Sequence, residues 1–441
     1  MLHTPMTDAL LACSDRVQAA LARARSPESA HVFTRLYAES SVAQAQAVDA
    51  ATTQGVRLGA LHGCLVSIKD NVDVAGETTC AGSVVCQDEP AAVQDAVVVQ
   101  RLRAAGAVVL GKTQMSEFAF SGVGINPHHG TPANPCDDAV LRVPGGSSSG
   151  AAVSVSRGLV HAGIGTDTGG SIRIPAALCG LVGFKASQSR IPRQGVMALS
   201  RSLDTVGALT RSVADNLHID AVLSQQPLPN TPADLRGMRF AVPQSIVLDD
   251  LAPAVSRAFA QALTRISEAG AQVVDLPFHE LAEIAPRSLP GGFSPVEGFA
   301  AHHARLARGA AQMDPRVVAR MRLGQGVSAL DYLGLIDRRR EWIARAEAVL
   351  QGFDAMLCPT VPLVAPELAP LLHDDEAFFH VNRLLLRNPS VINYLDGCAF
   401  SLRCHAAGEL PVGLMVSAPQ GADARLAQIA LALEPLLSSG V

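Results

Sequence analysis

The chain has 441 residues and a formal net charge of −5, from 35 Lys and Arg against 40 Asp and Glu. That balance excludes a nucleic-acid surface as its main business, and its longest basic run, Arg338-Arg339-Arg340, reads as a solvated helix face. Hydrophobic residues make up 48% and aromatic ones 4%, enough for a sizeable core of Ala, Val and Leu, while no run of about 18 apolar residues suggests a membrane span.

The N-terminus has no basic region leading into a long apolar one, so no signal peptide is expected. Residues 6–24 carry Leu10, Leu11, Val17 and Leu21 at helical spacing, with Thr7 placed to cap the start. A second helix is expected from Ser40 to Thr53, ending near Gly55. The run Gly63-Cys64-Leu65-Val66-Ser67-Ile68 reads as a buried strand, and Lys69 follows at its end, where α/β proteins place ligands. Gln94–Ala105 has helical periodicity and Ala107–Gly111 is a short buried strand, a unit that suggests parallel crossovers. A loop rich in Gly, Pro, His and Asn spans Gly122 to Val143. A small-residue helix follows over Ala151–Val155, then a short apolar run over Val160–Gly165, a turn over Thr166–Ser171 and a strand over Leu181–Phe184. Helices over Ser212–Leu223 and Pro253–Ala269 alternate with strands over Met238–Val242 and Gln272–Leu276. Gly and Pro break residues 277–330 into helical pieces, and the pocket is expected to be built from residues between about 277 and 400. Beyond them come a long helix over Leu330–Leu350, a strand over Phe353–Pro359 and an apolar-faced helix over Arg425–Leu437. With no repeat, low-complexity tract or linker, the reading is one α/β domain over 1–441. It has a helical segment to about residue 55, a catalytic core at about 60–215, and a remainder completing the sheet and pocket.

Two glycine-serine turns, Gly145-Gly146-Ser147-Ser148-Ser149-Gly150 and Gly165-Thr166-Asp167-Thr168-Gly169-Gly170-Ser171, suggest a site built largely from main chain. A phosphate-binding loop needs a lysine within its motif, and neither turn has one. Gly146 to Gly150 fits a nucleophile elbow centred on Ser148, but no strong strand precedes it as an elbow requires. The remaining chemistry is a serine activated by a lysine. Burial can hold a lysine neutral, a second serine can relay the proton, and successive backbone N–H groups can receive an oxyanion. Of the 35 lysines and arginines only Lys69, Lys112 and Lys185 are lysine, a short list for a base. Asp167 and Arg173 flank the second turn, either as an ion pair that holds it or as substrate contacts. His128 with His129, and Cys398 with Cys404 and His405, match no metal-ligand spacing, so no metal is expected. Nine cysteines, an odd number without a CxxC pair, read as a reduced, cytoplasmic chain.

These stretches resemble the amidase signature family. GCLVSIKDNVDVAGETTCAGS is similar to the family's lysine segment, and PGGSSSG followed by GTDTGGSIRIPAALCGLVGFK to its serine block. NPHHGTPANP and FDAMLCPTVP also resemble family segments, and the likeness runs from about residue 55 onward. The resemblance implies an α/β amidase-signature fold, a large mixed central β-sheet flanked by α-helices on both faces. It implies Lys69 as catalytic base, Ser147 as bridging serine in a cis peptide and Ser171 as nucleophile. The backbone N–H groups of Thr168, Gly169, Gly170 and Ser171 would form the oxyanion hole. Ser147 and Ser171 stand 24 residues apart, in agreement with the family. Ser149 and Ala151 replace a Gly and a Ser common there, and Ala208 a Pro, none of them a named catalytic group. The implied activity is hydrolysis of a small-molecule carboxamide through an acyl-enzyme, without cofactor, metal, nucleic acid or membrane, and compatible with a homodimer. The alternative is the A subunit of a glutamine-dependent aminoacyl-tRNA amidotransferase, which passes ammonia to a partner protein. Arg320, Arg322 and Arg387 are available for a substrate carboxylate, and nothing in the pattern selects among them.

Overall fold

A computed structural model describes residues 11–287 and 292–438. The strands are β1 (Phe33–Leu36), β2 (Leu65–Lys69), β3 (Val108–Thr113), β4 (Ala162–Asp167), β5 (Val182–Lys185), β6 (Thr205–Thr210), β7 (Arg239–Pro243), β8 (Gln272–Leu276), β9 (Ala355–Pro359), β10 (Cys398–Arg403) and β11 (Gly413–Ala418). The helices of the first half are α1 (Cys13–Ala24), α2 (Ala38–Thr53), α3 (Val97–Ala104), α4 (Ser149–Ser156), α5 (Arg173–Leu178) and α6 (Val213–Ser224). Those of the second half are α7 (Pro253–Glu268), α8 (Ile284–Arg287), α9 (Phe293–Gly309), α10 (Pro315–Arg322), α11 (Ala329–Leu350), α12 (Leu368–His373), α13 (Asp375–Leu395) and α14 (Asp423–Ser438).

All these strands join one sheet in the order β1-β3-β2-β4-β6-β5-β10-β11-β9-β7-β8. β3, β2 and β4 run parallel, as do β9, β7 and β8, while the remaining pairs are antiparallel. The first six positions come from residues 33–210 and the last five from 239–418, so the two sets meet at β5 and β10. There Phe184 and Phe400 are register partners whose rings stack 4.1 Å apart at 6°.

Side chains alternate between the faces with the strand period of two. On β10 and β11, Phe400, Leu402 and Val416 pack into one core, while Ala399 and Met415 pack into another. α3, α6, α7 and α14 cover the first face. Behind the sheet, α1, α2, α4 and α5 cover the first-half strands, and α9, α11 and α13 the second-half ones. Burying both faces of the sheet in this way is the main source of stability. Among the described residues no helix is long and apolar enough to cross a membrane.

The expected mixed sheet with helices on both faces is present, and its departures from the sequence reading are local. The first helix starts at Cys13, and Thr7 and Leu10 lie outside the described residues. Ala12 offers no side-chain cap, so Asp49 of α2 accepts from the amides of Cys13 (2.6 Å) and Ser14 (3.0 Å) instead. Lys112, expected beyond a strand, lies inside β3. β1, β6, β10, β11 and α13 have no counterpart in the sequence reading. β10 and β11 are almost wholly buried and so lack a polar alternation, and Pro389 interrupts the helical pattern of α13. Arg339 is no solvated residue: its guanidinium donates to the carbonyls of Tyr394 (2.8 Å) and Asn393 (2.9 Å) at the C-terminal end of α13.

Candidate active site

β2 and β4 are parallel neighbours, and their C-terminal ends carry Lys69 and the Thr166-Asp167 pair side by side. The Lys69 side chain is fully buried. Its Nζ lies 2.7 Å from Ser147 Oγ and 2.8 Å from Thr166 Oγ1. Burial lowers its pKa to about 7, against the opposing pull of Asp167 and Asp204. The other two lysines are differently occupied. Lys112 sits 3.4 Å from Asp70 Oδ1, and Lys185 donates to the carbonyls of Gly397 (2.5 Å) and Ala186 (3.2 Å). Only Lys69 is hydrogen-bonded to a serine hydroxyl.

Ser147 follows a cis peptide bond from Gly146 and is fully buried. Gly146 fits because a side chain there would meet the Gly124 amide nitrogen at 2.7 Å. Ser148, the elbow candidate, precedes α4 and faces inward, its Oγ donating to the Thr166 carbonyl at 3.3 Å. The nearest named strand before it, β3, ends at Thr113, so the strand-turn-helix context of an elbow is missing. The Ser148 amide donates to the carbonyl of Ser171 (3.3 Å), which ties the two serine turns together.

Ser171 lies at the end of the turn between β4 and α5 and is 3% exposed. Asp167 organises that turn. Its carboxylate accepts from the amides of Gly170 (2.9 Å), Ile172 (3.2 Å) and Arg173 (3.4 Å), and from Arg173 Nε (3.0 Å) and Nη2 (2.9 Å). Asn393 of α13 adds its Nδ2 at 3.0 Å. Burial alone would raise the Asp167 carboxyl, but Arg173, Lys185 and Asn393 outweigh it and hold the group well below the usual carboxylate range. Of the two roles open to Arg173 and Asp167, the geometry is the ion pair that holds the turn, since both side chains are fully buried. The Gly170 amide, expected among the oxyanion donors, points into this pair.

The roles of Thr166, Asp204 and Asn393 were not anticipated, and of α13 only Arg387 was singled out. Thr168 Oγ1 donates to Asp204 Oδ1 at 2.6 Å, and burial pushes the Asp204 carboxyl up to about 6. Thr166 could have been found, since it lies in the second turn motif. Asn393 and α13 lie more than 200 residues from that turn, beyond the reach of any local pattern.

Ser171, Thr168 and Gly169 open onto a cavity of about 900 Å³. Phe120, Leu199 and Leu203 contribute apolar wall. The opposite wall is the face of α13 that repeats at helical spacing through Phe379, Arg383, Leu386, Ser390 and Tyr394. Among the described residues no three His, Cys, Asp or Glu are grouped to hold a metal ion, and Cys398 and Cys404 are free and buried.

A family model described as Amidase matches residues 15–427, so the likeness begins well before residue 55. The 2-amino-5-chloromuconic acid deaminase of Comamonas testosteroni is 38% identical over 90% of this chain and 86% of its own. The A subunit of the glutamyl-tRNA(Gln) amidotransferase of Moorella thermoacetica is 32% identical over 97% and 92%. A solved structure described as an amidase superposes with a TM-score of 0.85 at 30% identity, covering 96% of each chain. By sequence, by fold and across nearly its whole length, this chain belongs to the amidase family.

Proposed function

We propose that this protein hydrolyses a small-molecule carboxamide with Ser171 as nucleophile, Ser147 as proton relay and Lys69 as base. The observation that carries the reading is the buried Lys69 Nζ, 2.7 Å from Ser147 Oγ, with its pKa near 7, in a site whose other serine faces a cavity. A neutral amine there donates one hydrogen to Thr166 Oγ1 and offers its lone pair to the Ser147 hydroxyl. As Ser147 gives its proton to Lys69 it takes one from Ser171, whose Oγ bonds to the amide carbon. Because the Gly170 amide is committed to Asp167, the oxyanion would rest on the amides of Thr168, Gly169 and Ser171. The proton returns through Ser147 to the nitrogen, the C–N bond breaks, and ammonia or an amine leaves an acyl ester on Ser171. Water, deprotonated along the same relay, then releases the carboxylate.

Ser171→Ala is expected to lower amide hydrolysis at least about a thousandfold, with the circular-dichroism spectrum unchanged and no fluorophosphonate adduct by mass spectrometry. Hydrolysis at an undiminished rate would refute the assignment. The relative from Comamonas testosteroni is named for an acid, so carboxylate-bearing compounds belong in the substrate screen. A second reading, the ammonia-supplying chain of an amidotransferase, rests on the 32% identity to that of Moorella thermoacetica. It uses the same groups but requires a partner, so glutaminase activity seen only with an added partner protein would favour it.

A further inference from the structure

The cavity wall carries three arginines, Arg320, Arg383 and Arg387, and no Asp or Glu among its described lining residues. Arg383 and Arg387 are one turn apart on α13, so they share a helix face, and Arg320 comes from α10. Several other well-covered arginines of this protein meet carboxylates: Arg173 meets Asp167 at 2.9 Å, Arg316 meets Asp375 at 2.6 Å and Arg305 meets Glu89 at 2.6 Å, while Arg339 is held by two backbone carbonyls. None of the three cavity arginines has a carboxylate partner among the described residues. Arg320 donates Nη1 to the carbonyl of Phe120 and lies over that residue's ring, 5.6 Å from its centre. Arg387 spends Nε on the neighbouring Asn388 Oδ1 (2.9 Å), and its Nη2 is buried with no acceptor. Asp249 and Asp250, whose charges Arg387 feels, are exposed and form no ion pair with it.

A guanidinium has five donors, and one carbonyl or one amide oxygen leaves most of them idle. Retaining such charges unpaired beside a largely apolar cavity is unfavourable unless an anion completes them. A carboxylate is the matching group, because its two oxygens fit the planar fork in bidentate geometry. Arg320 keeps some contact with solvent, yet burial is enough to push it down to about 10, and burial likewise lowers Arg387. Both positions therefore favour a bound anion over an empty pocket.

We propose that the Arg320–Arg387 wall, with Arg383 at its edge, binds a carboxylate of the substrate while the scissile carboxamide lies at Ser171. The substrate class is then an amide that also carries an acid, such as the half-amide of a dicarboxylic acid. This rests on the amidase reading for the scissile bond, but the binding half stands by itself.

The probes are a series of half-amides, malonamate, succinamate, glutaramate and 4-carbamoylbenzoate, each compared with its neutral methyl ester. In the wild-type protein kcat/KM for the best acid is expected to exceed that of its ester at least about tenfold, the effect of one well-placed charge pair. In Arg320→Met and Arg387→Met that acid-to-ester ratio falls at least about tenfold, mainly through KM for the acid. A ratio also cancels any general loss of folded protein. Calorimetry on Ser171→Ala reads binding without turnover and should show the same preference for the acid. If that protein binds the acids but the wild type cleaves nothing, the amidase reading fails and the arginine assignment stands. If no acid is bound or cleaved better than its ester, or the ratio is unchanged in both arginine variants, the proposal is overturned.

Discussion

Lys69 is the base of the proposed mechanism, and its side chain is fully buried. An amine enclosed by protein loses its hydration, which disfavours the ammonium form, and here that loss outweighs the attraction of Asp167 and Asp204. With a folded pKa of about 7, the neutral base accumulates above neutrality, so log kcat/KM should climb through pH 7 and level off above it. A rate that falls as pH rises from 6 to 8 would contradict Lys69 as the base. The same displacement links stability to pH. Between about 7 and the unfolded value near 10.4, the unfolded chain binds a proton that the folded one does not, so stability increases with pH across that window. Lys69→Met removes the slope. Its stability relative to wild type, from urea unfolding, should fall by up to about 1.4 kcal/mol per pH unit from pH 7 to 10. The three lysines were legible as candidates because they are so few. What separates them is their partners, a serine, a carboxylate and two carbonyls, and those become visible only in the fold.

At the scale of elements, α13 presses on the Thr168–Ser171 turn. Pro389 and Ser390 lie against Gly170 and Gly169, Asn393 enters the Asp167 pair, and Arg339 of α11 holds the last carbonyls of the helix. Gly170 has φ +119°, and a Cβ there would lie 2.5 Å from Pro389 Cβ and 2.9 Å from Ile174 Cδ1. Gly170→Ala must therefore displace the turn or the helix. We expect a loss of about 1–3 kcal/mol in urea unfolding and of about a hundredfold in kcat, because Ser171, the proposed nucleophile, moves with the turn. Gly237→Ala is the control: its φ is also positive, at +78°, but nothing lies within 4 Å of the added carbon. Equal losses in the two variants would show that backbone strain, not contact with α13, is responsible. The serine turns were readable because their spacing is local. α13 was not, since Pro389 breaks its periodicity and its role depends on contact with a turn far away in the chain.

At the scale of the molecule, each half of the chain builds one flank of the sheet, and the site needs both. Residues before 210 supply the lysine, the serines and part of the cavity wall, and residues after 280 supply the rest of that wall. The sheet is continuous across the β5–β10 joint, so we propose that the two halves unfold as one domain. Trp342, the single tryptophan, reports on the second half, and far-ultraviolet circular dichroism on the whole. Their urea transitions should coincide. Phe400→Ala removes the ring stacked on Phe184 and should destabilise that shared transition by about 3–5 kcal/mol. Two separated transitions in the wild-type protein would refute a single domain.

The amino-acid sequence by itself pointed to the amidase family and to a short set of candidate residues. A scarce lysine past a buried strand and two glycine-serine turns are local patterns, and the hydrophobic run lengths that set most helices and strands are local too. Tertiary structure alone decided that the lysine touches Ser147, that Asn393 enters the Asp167 pair, and that Arg320 meets the Phe120 carbonyl beside the cavity. Those outcomes depend on strand order and helix packing, which bring together residues about 80 to more than 200 positions apart. No periodicity in a chain records a distance of that kind.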